Sequence, residues 1–313
     1  MNVFGPVPSR RLGQSLGINN IPPKTCSYAC IYCQLGHTKK MKTALSEFHN
    51  PLELHETVKD STREIIGKGG HVDYLTFVAD GEPTLDANLG QELELLKSLG
   101  LKTAVISNSS LIWREDVRKN LMNADWVSLK VDAMQHKIWK TVNRPHGKLD
   151  LDAIVDGMIK FSKVFRGELV TETMLINGVN DAEESVSGIA NLINRLQPKT
   201  AYLSVPTRPP AEKWVQPPTE DALNRAFQII HERHPQVEYL VGYEGNAFAH
   251  TGNVAQDLLS ITAVHPMRKD AVNQFLVDAG SEWEDVNMLI REGLLRETEY
   301  KGHKFYTRKI HRG

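Results

Sequence analysis

Two hydrophobic patterns alternate along the chain between residues 51 and 241. Apolar residues three and four positions apart are typical of amphipathic helices, and they predict helices at Pro51–Lys68, Leu89–Leu99, Arg114–Met122, Asp150–Phe165, Ala182–Leu196 and Thr219–Arg233. Short apolar runs predict strands at Tyr74–Ala79, Lys102–Ser107, Trp126–Asp132, Glu168–Ile176, Ala201–Val205 and Val237–Val241. This alternation favours βαβ units and a parallel sheet, which six or seven such units would curl into a full or partial barrel.

A different pattern follows residue 253. Three short helices are predicted at Asp257–Val264, Arg268–Ala279 and Glu282–Glu292, and a hairpin then turns at Lys301-Gly302. Three helices followed by a two-stranded wing is the winged-helix order. The sequence therefore predicts an α/β barrel domain at residues 1–252 and a small winged-helix domain at residues 253–313. Ser15–Ile21 is predicted to form a further short strand that ends at Pro22-Pro23.

The charge of the predicted winged helix argues against DNA as its ligand. Its third helix is acidic, and phosphate repulsion would oppose docking in the major groove. The wing and tail instead form a basic edge, made by Lys301, Lys304, Arg308, Lys309 and Arg312. We expect this edge to contact RNA or an acidic peptide.

Overall charge and hydropathy suggest no membrane partner. The chain has 313 residues, of which 41% are hydrophobic, and its 37 Lys and Arg nearly balance 38 Asp and Glu. A formal charge of −1 creates no global attraction to nucleic acid or lipid. The chain contains no apolar run of the ~18 residues that a membrane helix requires, and its first residues do not resemble a signal peptide. We expect a cytoplasmic protein.

The three cysteines of the chain lie within eight residues, at Cys26, Cys30 and Cys33. A disulfide would leave one cysteine over, and the expected compartment is reducing. Three thiolates can hold a metal while leaving one coordination position open, as a catalytic centre requires. His37 could instead complete a Cys3His zinc site, so zinc is the alternative.

The spacing C-x3-C-x2-C, with Tyr32 before the last cysteine, resembles the cluster loop of the radical SAM superfamily. The resemblance implies that the three cysteines bind three irons of a [4Fe-4S] cluster and that S-adenosyl-L-methionine (SAM) binds the fourth. It gives Gly81-Glu82-Pro83, after the predicted strand Tyr74–Ala79, the role of the motif that binds the amino group of SAM. Further cofactor contacts are expected from Tyr32, Asn108, Ser128 and Lys130.

Ser128, Lys130 and Asp132 share one face of a predicted strand, because side chains alternate along a strand. A buried Lys–Asp pair is costly unless it is hydrogen-bonded or serves a ligand. A structural ion pair between Lys130 and Asp132 is the alternative to a role in SAM binding.

Four arginines are candidates for binding an anionic substrate. Arg10 and Arg11 lie upstream of the segment that contains the three cysteines, residues 25–38, which we call the cysteine loop. Arg144 and Arg208 lie in rigid, proline-containing loops. Scaffold salt bridges are the alternative for each of the loop arginines.

Within the superfamily, the opening Phe-Gly-Pro-Val-Pro-Ser-Arg-Arg and the winged helix resemble the iron–sulfur oxidoreductases grouped with wyosine-base synthases. Those relatives modify a tRNA guanosine and carry a second cluster, for which this chain has no spare cysteine. The resemblance implies reductive cleavage of SAM to a 5′-deoxyadenosyl radical, with a reductant such as flavodoxin or ferredoxin. We expect an RNA-linked or peptide-linked substrate. Alternatives are a small-molecule metabolite, or a non-enzymatic iron–sulfur winged-helix regulator.

Overall fold

A computed structural model describes residues 3–241, 248 and 253–309. Its strands are β1 Val3–Ser9, β2 Gly13–Ile18, β3 Thr25–Cys26, β4 Lys40–Met41, β5 Tyr74–Phe77, β6 Lys102–Ser107, β7 Trp126–Lys130, β8 Glu168–Met174, β9 Thr200–Ser204, β10 Val237–Leu240, β11 Met267–Arg268, β12 Leu295–Tyr300 and β13 His303–Arg308. Its α-helices are α1 Pro51–Gly67, α2 Leu89–Leu96, α3 Glu115–Leu121, α4 His136–Val142, α5 Leu151–Val164, α6 Glu183–Leu196, α7 Glu220–His231, α8 Val254–Val264, α9 Lys269–Asp278 and α10 Trp283–Arg291.

The main sheet has eight strands in the order β1-β2-β5-β6-β7-β8-β9-β10. Only β1 is antiparallel to its neighbour, and the other pairs are parallel. Helices cross over between consecutive parallel strands from β2 onward, so the predicted α/β class and parallel sheet are confirmed. The sheet curls into a half-barrel.

Strand β1 and helix α4 were not predicted. Strand β1 contains Pro6 and Pro8, which cannot donate to a ladder and which are tolerated because β1 is an edge strand. The predicted strand at Ser15–Ile21 is shorter in the structure and pairs with β1. Other helix starts follow ordinary capping rules, since Asn50, Asp150 and Thr219 each accept a backbone N–H of the first turn.

The two faces of the curled sheet carry separate apolar clusters. Outward side chains, including Phe77, Val105 and Val127, pack against the helices in the largest core. On the inner face Trp126 packs with Leu12 from the β1–β2 turn. Because β2 and β7 begin at this end, Leu12 fills the amino end of the half-barrel, and the polar groups lie toward the carboxyl ends of the strands.

The C-terminal segment combines α8, α9 and α10 with the antiparallel sheet β11-β13-β12. Its hairpin turns at Lys301-Gly302, as predicted, with φ values of 50° and 73° that suit a two-residue turn. Its core includes Phe275 and Tyr306 and continues onto Phe4 and Val7 of β1. The boundary between residues 252 and 253 stays a prediction. Arg312 and residue 252 lie outside the described residues.

Within the described ranges no helix is both long and apolar enough to cross a membrane.

Candidate functional site

The cysteine loop begins as a strand added beyond the carboxyl end of β5. The Glu82 N–H donates to the Thr25 carbonyl over 3.1 Å, and the Lys24 N–H donates to the Asp80 carbonyl over 2.7 Å. Gly81 has φ of 155°, and a Cβ added there would lie 1.7 Å from the Thr25 oxygen. Glycine at this position therefore allows the two segments to approach, which joins the glycine–glutamate motif to the cysteine loop by backbone contact.

The rest of the cysteine loop is held by segments that follow other strands. The Ile31 N–H donates to the Val142 carbonyl and the Glu212 N–H donates to the Ile31 carbonyl, each over 3.0 Å. The Trp139 indole donates to the Tyr28 hydroxyl over 3.0 Å inside the core. The loop is therefore fixed from several sides at the carboxyl ends of the strands.

Two side-chain amides approach the cysteine sulfurs. Asn108 Nδ2 lies 3.4 Å from Cys26 Sγ, and Asn143 Nδ2 lies 3.5 Å from Cys30 Sγ. Amide donors aimed at sulfur suit thiolates that carry negative charge, as cluster ligands do. The donor set and its hydrogen bonds fit the cluster that the resemblance implies.

Burial of the three cysteines opposes ionisation of their thiols. Burial, with Glu82 nearby, raises the pKa of the Cys26 thiol well above its ordinary value. Burial, with Asp132 nearby, raises the pKa of Cys30 to about 12, and burial also raises that of Cys33. A positively charged iron centre would displace these protons, because a coordinating thiol is deprotonated by its metal.

A zinc site would require a different arrangement from the one observed. His37 is exposed, and among the described residues no three His, Cys, Asp or Glu side chains converge as they do around one ion. A [4Fe-4S] cluster places each cysteine on a different iron and needs no such convergence.

Glu82 is fully buried just beyond the carboxyl end of β5, and both of its carboxylate oxygens accept hydrogen bonds. Its Oε1 accepts hydrogen bonds from the Thr84 N–H, the Thr84 hydroxyl and the Ser107 hydroxyl, and its Oε2 accepts one from the Asn108 N–H at 2.7 Å. Burial raises the pKa of Glu82, although these donors act in the opposite direction. The carboxylate therefore ties its own turn to the carboxyl end of β6. Its binding to the amino group of SAM stays a prediction.

Lys130 forms its ion pair with Glu172, so the suggested pairing with Asp132 is wrong. Lys130 Nζ lies 2.7 Å from Glu172 Oε1 and 5.2 Å from the centre of the Tyr32 ring. Register explains the pairing, because Lys130 and Glu172 are direct neighbours on β7 and β8. Burial alone would raise the pKa of Glu172, but Lys130 and Arg11 outweigh it and hold that pKa well below its usual range.

Asp132 instead orders the cysteine loop through neutral donors. It accepts hydrogen bonds from the Tyr32 hydroxyl, from Asn143 Nδ2 at 2.8 Å and from the Met174 N–H at 2.9 Å. Asn143 is not among the site residues predicted from the sequence, because an uncharged amide next to Arg144 gives no signal of its own.

Three predicted cofactor residues lie near one another at the carboxyl ends of β6 and β7. Asn108 and Lys130 line a cleft together with Tyr28, Asp132 and Asn143. Ser128 lies on the same face of β7 as Lys130 and is buried, and its hydroxyl has no hydrogen-bond partner among the described residues. Pro83, which directly follows Glu82, is also buried. The SAM contacts assigned to these residues stay predictions.

The four candidate arginines do not converge on one anion site. Arg10 donates to the Val241 carbonyl over 2.7 Å, and Arg11 reaches Glu172 Oε2 over 2.5 Å. Arg144 pairs with Glu212, which matches the scaffold alternative.

Arg208 bridges two parts of the molecule. It donates to Gln34 of the cysteine loop and approaches Nε2 of His265, each over 2.9 Å. Burial, reinforced by Arg208, lowers the pKa of His265 well below its ordinary value, so the neutral ring can accept this bond. The substrate roles of the four arginines stay predictions.

Known proteins resemble this chain at three levels. The family model described as the Radical SAM superfamily matches residues 20–187. A UPF0026 protein of Methanocaldococcus jannaschii is 45% identical over 311 residues, which cover 98% of this chain and 96% of that protein. A probable dual-specificity RNA methyltransferase RlmN of Picosynechococcus is 26% identical over 235 residues, which cover 71% of this chain and 63% of that protein. A structure of TYW1 with a lysine-pyruvate adduct bound shares the fold, with a TM-score of 0.52 and 16% identity over 70% of this chain and 74% of that one.

Proposed function

Because this chain belongs to the radical SAM superfamily of enzymes, we propose that it holds a [4Fe-4S] cluster, cleaves SAM reductively and modifies an RNA-linked substrate. One observation carries the cofactor part of the proposal. The cysteine loop is hydrogen-bonded to the Asp80–Glu82 segment, and amides of Asn108 and Asn143 are aimed at two of its sulfurs.

Each part of the site has a separate task in this proposal. Cys26, Cys30 and Cys33 hold the cluster, and Glu82 retains acceptor capacity on Oε2 for an ammonium group. Ser128 offers a buried hydroxyl without a partner among the described residues. When bound, the cluster and SAM supply a 5′-deoxyadenosyl radical that abstracts a hydrogen atom from the substrate. The protein orients both cofactors and limits the access of other hydrogen donors.

We propose further that the C-terminal segment is a winged helix that presents the substrate. Its element order supports this, and the Tyr300 hydroxyl donates to the Pro206 carbonyl over 3.2 Å, beside the loop that follows β9. Lys304 pairs with Glu297 at 2.8 Å, which weakens the central part of the expected basic edge. Arg308 and Lys309 are exposed and form its better candidates for phosphate contacts.

RNA is the favoured substrate class because one relative carries the name of an RNA methyltransferase and because Arg308 and Lys309 are exposed cations. The acidic side chains of α10, including Glu284, oppose docking of that helix to a duplex, so they argue against DNA. A reduced flavodoxin or ferredoxin would supply the electron. Such reductants and RNA are both available in the cytoplasm, where we place the protein.

The first experiment tests the cofactor assignment. Protein reconstituted anaerobically should hold about four irons and form 5′-deoxyadenosine from SAM on reduction with dithionite. Replacing Cys26, Cys30 or Cys33 with alanine should abolish this product. One tightly bound zinc that requires His37 would refute the assignment.

A second experiment tests the substrate class. Short RNAs from the source organism should accelerate SAM cleavage, and Arg308→Glu/Lys309→Glu should weaken RNA binding and reduce its salt slope by about one unit per lost phosphate contact. Lys163→Glu/Arg166→Glu, whose residues are exposed near the amino end of β8, is the matched control. Acceleration by peptides or by a small metabolite, with no effect of RNA, would refute the RNA assignment.

A further inference from the structure

Three lysines and a methionine directly follow the cysteine loop and run beside its first cysteine. We call Lys39, Lys40, Met41 and Lys42 the lysine strip. Its strand β4 pairs with β3, so that Lys40 lies opposite Thr25 and Met41 lies opposite Cys26. The Lys42 N–H also donates to the Cys26 carbonyl over 3.0 Å. Since paired strands are about 4.8 Å apart, the strip is one strand away from a predicted cluster ligand.

The lysine strip is largely exposed. Its charge acts on the buried Asp80 carboxylate, where Lys24 and, more weakly, Lys39 oppose the rise in pKa that burial causes. Lys39 and Lys40 are exposed, and Met41 between the lysines exposes 37% of its surface. Lys42 is half-buried, with its ammonium 5.4 Å from the Phe48 ring centre. In the part of the chain that the structure describes, none of the three lysines forms an ion pair with an acid.

Several other cations around the cysteine loop already have partners. Lys24 lies 3.5 Å from the buried Asp80 carboxylate, and Arg144 pairs with Glu212. The lysine strip therefore presents positive charge toward solvent, whereas Lys24 and Arg144 nearby form ion pairs within the protein. The exposed Met41 lies between charged residues. Small transient interfaces likewise have an apolar centre and a polar rim.

We propose that the lysine strip is the docking surface for a small acidic protein that carries one electron to the cluster. This inference rests on the proposed function, because only a reducible cluster at the cysteine loop gives the surface its task. In the transfer, the carrier is oxidised by one electron and the cluster is reduced by one, and no bond is formed or broken. Complementary charge would raise the association rate more than the affinity of the complex. This suits a carrier that must dissociate after each electron transfer.

The position of the strip favours an electron carrier over a nucleic acid. The strip flanks Cys26, whereas the cleft expected to hold the reacting groups is lined by Asn108, Lys130 and Asp132. Its exposed residues also include no aromatic side chain on which a base could stack.

The test separates electron delivery from the chemistry that follows. The probe is reduced flavodoxin, an acidic flavin protein, and the readout is the stopped-flow rate at which it bleaches the cluster absorbance, in the absence of SAM. Lys39→Glu/Lys40→Glu should slow this reduction by about tenfold or more at low salt and remove most of its salt dependence. Lys39→Gln/Lys40→Gln should give a smaller slowing, and it guards against a folding defect from reversed charge near Asp80. Lys163→Glu/Arg166→Glu should leave the rate unchanged.

Reduction by dithionite, a small ion that needs no docking surface, distinguishes the possible failures. The proposal requires dithionite-driven formation of 5′-deoxyadenosine and iron content to stay at wild-type levels in both lysine variants. Equal rates with flavodoxin in wild-type and variant proteins would overturn the docking surface while leaving the proposed function intact. Equal slowing with both reductants would also overturn it, because the defect would lie in the cluster site.

If wild-type protein holds a cluster but forms no 5′-deoxyadenosine with dithionite, the proposed function fails, and the flavodoxin rates still decide the docking surface. Loss of RNA binding without a change in flavodoxin rate would assign the strip to nucleic acid instead.

Discussion

At the scale of single residues, the site depends on close backbone approach and on amide donors more than on the charges that stand out in the sequence. Gly81 permits a contact with Thr25 that no side chain would allow. Asn108 and Asn143 reach two cysteine sulfurs, while Arg144 pairs with Glu212 of the scaffold. Short, neutral residues therefore determine much of how the cysteine loop is positioned.

Gly81→Ala should separate the glycine–glutamate segment from the cysteine loop. The added Cβ would lie 1.7 Å from the Thr25 oxygen, at a φ that L-residues rarely adopt. We expect a loss of about 2–5 kcal/mol in the free energy of unfolding and poor iron retention. Denaturant titration and iron analysis measure both. Gly147→Ala, where no atom lies within 4 Å of the added Cβ, is the control and should be nearly neutral. A stable, iron-replete Gly81→Ala protein would contradict the role given to this contact.

Asn108→Asp should lower the reduction potential of the reconstituted cluster. The change keeps the side-chain shape but removes the N–H that approaches Cys26 Sγ at 3.4 Å and adds negative charge. A lost hydrogen bond of about 1 kcal/mol corresponds to roughly 40 mV for one electron. Redox titration followed by electron paramagnetic resonance, without SAM, measures the shift. The distant Asn123→Asp should leave the potential unchanged, and an unchanged potential in Asn108→Asp would show that this amide does not tune the cluster.

At the scale of elements, the turn after Glu82 packs against α2 through buried acids. Asp86 and Glu92 are both buried, and Asn20 Nδ2 lies 3.4 Å from a carboxylate oxygen of each. Burial raises the pKa of Asp86 to about 6, and burial together with Asp86 raises the pKa of Glu92 to about 8. This pairing ties the pH dependence of folding to the element that carries the glycine–glutamate motif.

Glu92→Gln should make stability less dependent on pH. The folded-state pKa of Glu92 exceeds its ordinary value of 4.5, so the folded state binds more protons than the unfolded state between these two values. Stability contributed by the protonated form is therefore lost as pH rises toward 8, by up to about 1.4 kcal/mol per pH unit. Glutamine stays neutral and removes this loss. Melting temperatures from pH 6 to pH 9 measure the effect.

The control for that experiment lies on the same helix. Glu94 is exposed and pairs with Lys97 at 2.5 Å, so Glu94→Gln should keep the wild-type pH profile. Identical profiles for wild type and Glu92→Gln would mean that Glu92 does not titrate in this range.

At the scale of the whole molecule, the C-terminal segment shares an apolar core with the edge strand β1 of the main sheet. Its apolar core includes Phe4 and Val7 of β1 and is contacted by Leu35 of the cysteine loop. Arg208 adds a polar link between Gln34 and His265. The segment therefore supports the cysteine loop directly.

Deleting residues 255–313 should destabilise the barrel and reduce iron retention. The deletion exposes Phe4, Val7 and Leu35, and each fully buried apolar side chain contributes about 1.5–3 kcal/mol. We expect dye binding to exposed apolar surface, a lower melting temperature and a substoichiometric cluster. A truncated protein with four irons and the melting temperature of the full chain would show that the shared core is dispensable.

The sequence by itself determined the α/β class, most helices and strands, the hairpin turn and the family, because these depend on local periodicity, turn residues and the short cysteine motif. It did not reveal β1, whose prolines are acceptable only at a sheet edge. It also could not identify Glu172 as the partner of Lys130, since that pairing depends on the register of β7 against β8. The burial of Glu82 and the amides at the cysteine sulfurs were decided by contacts between residues distant in sequence. Tertiary structure alone brings such groups together, because chain folding sets which strand ends and loops meet at one edge of the sheet.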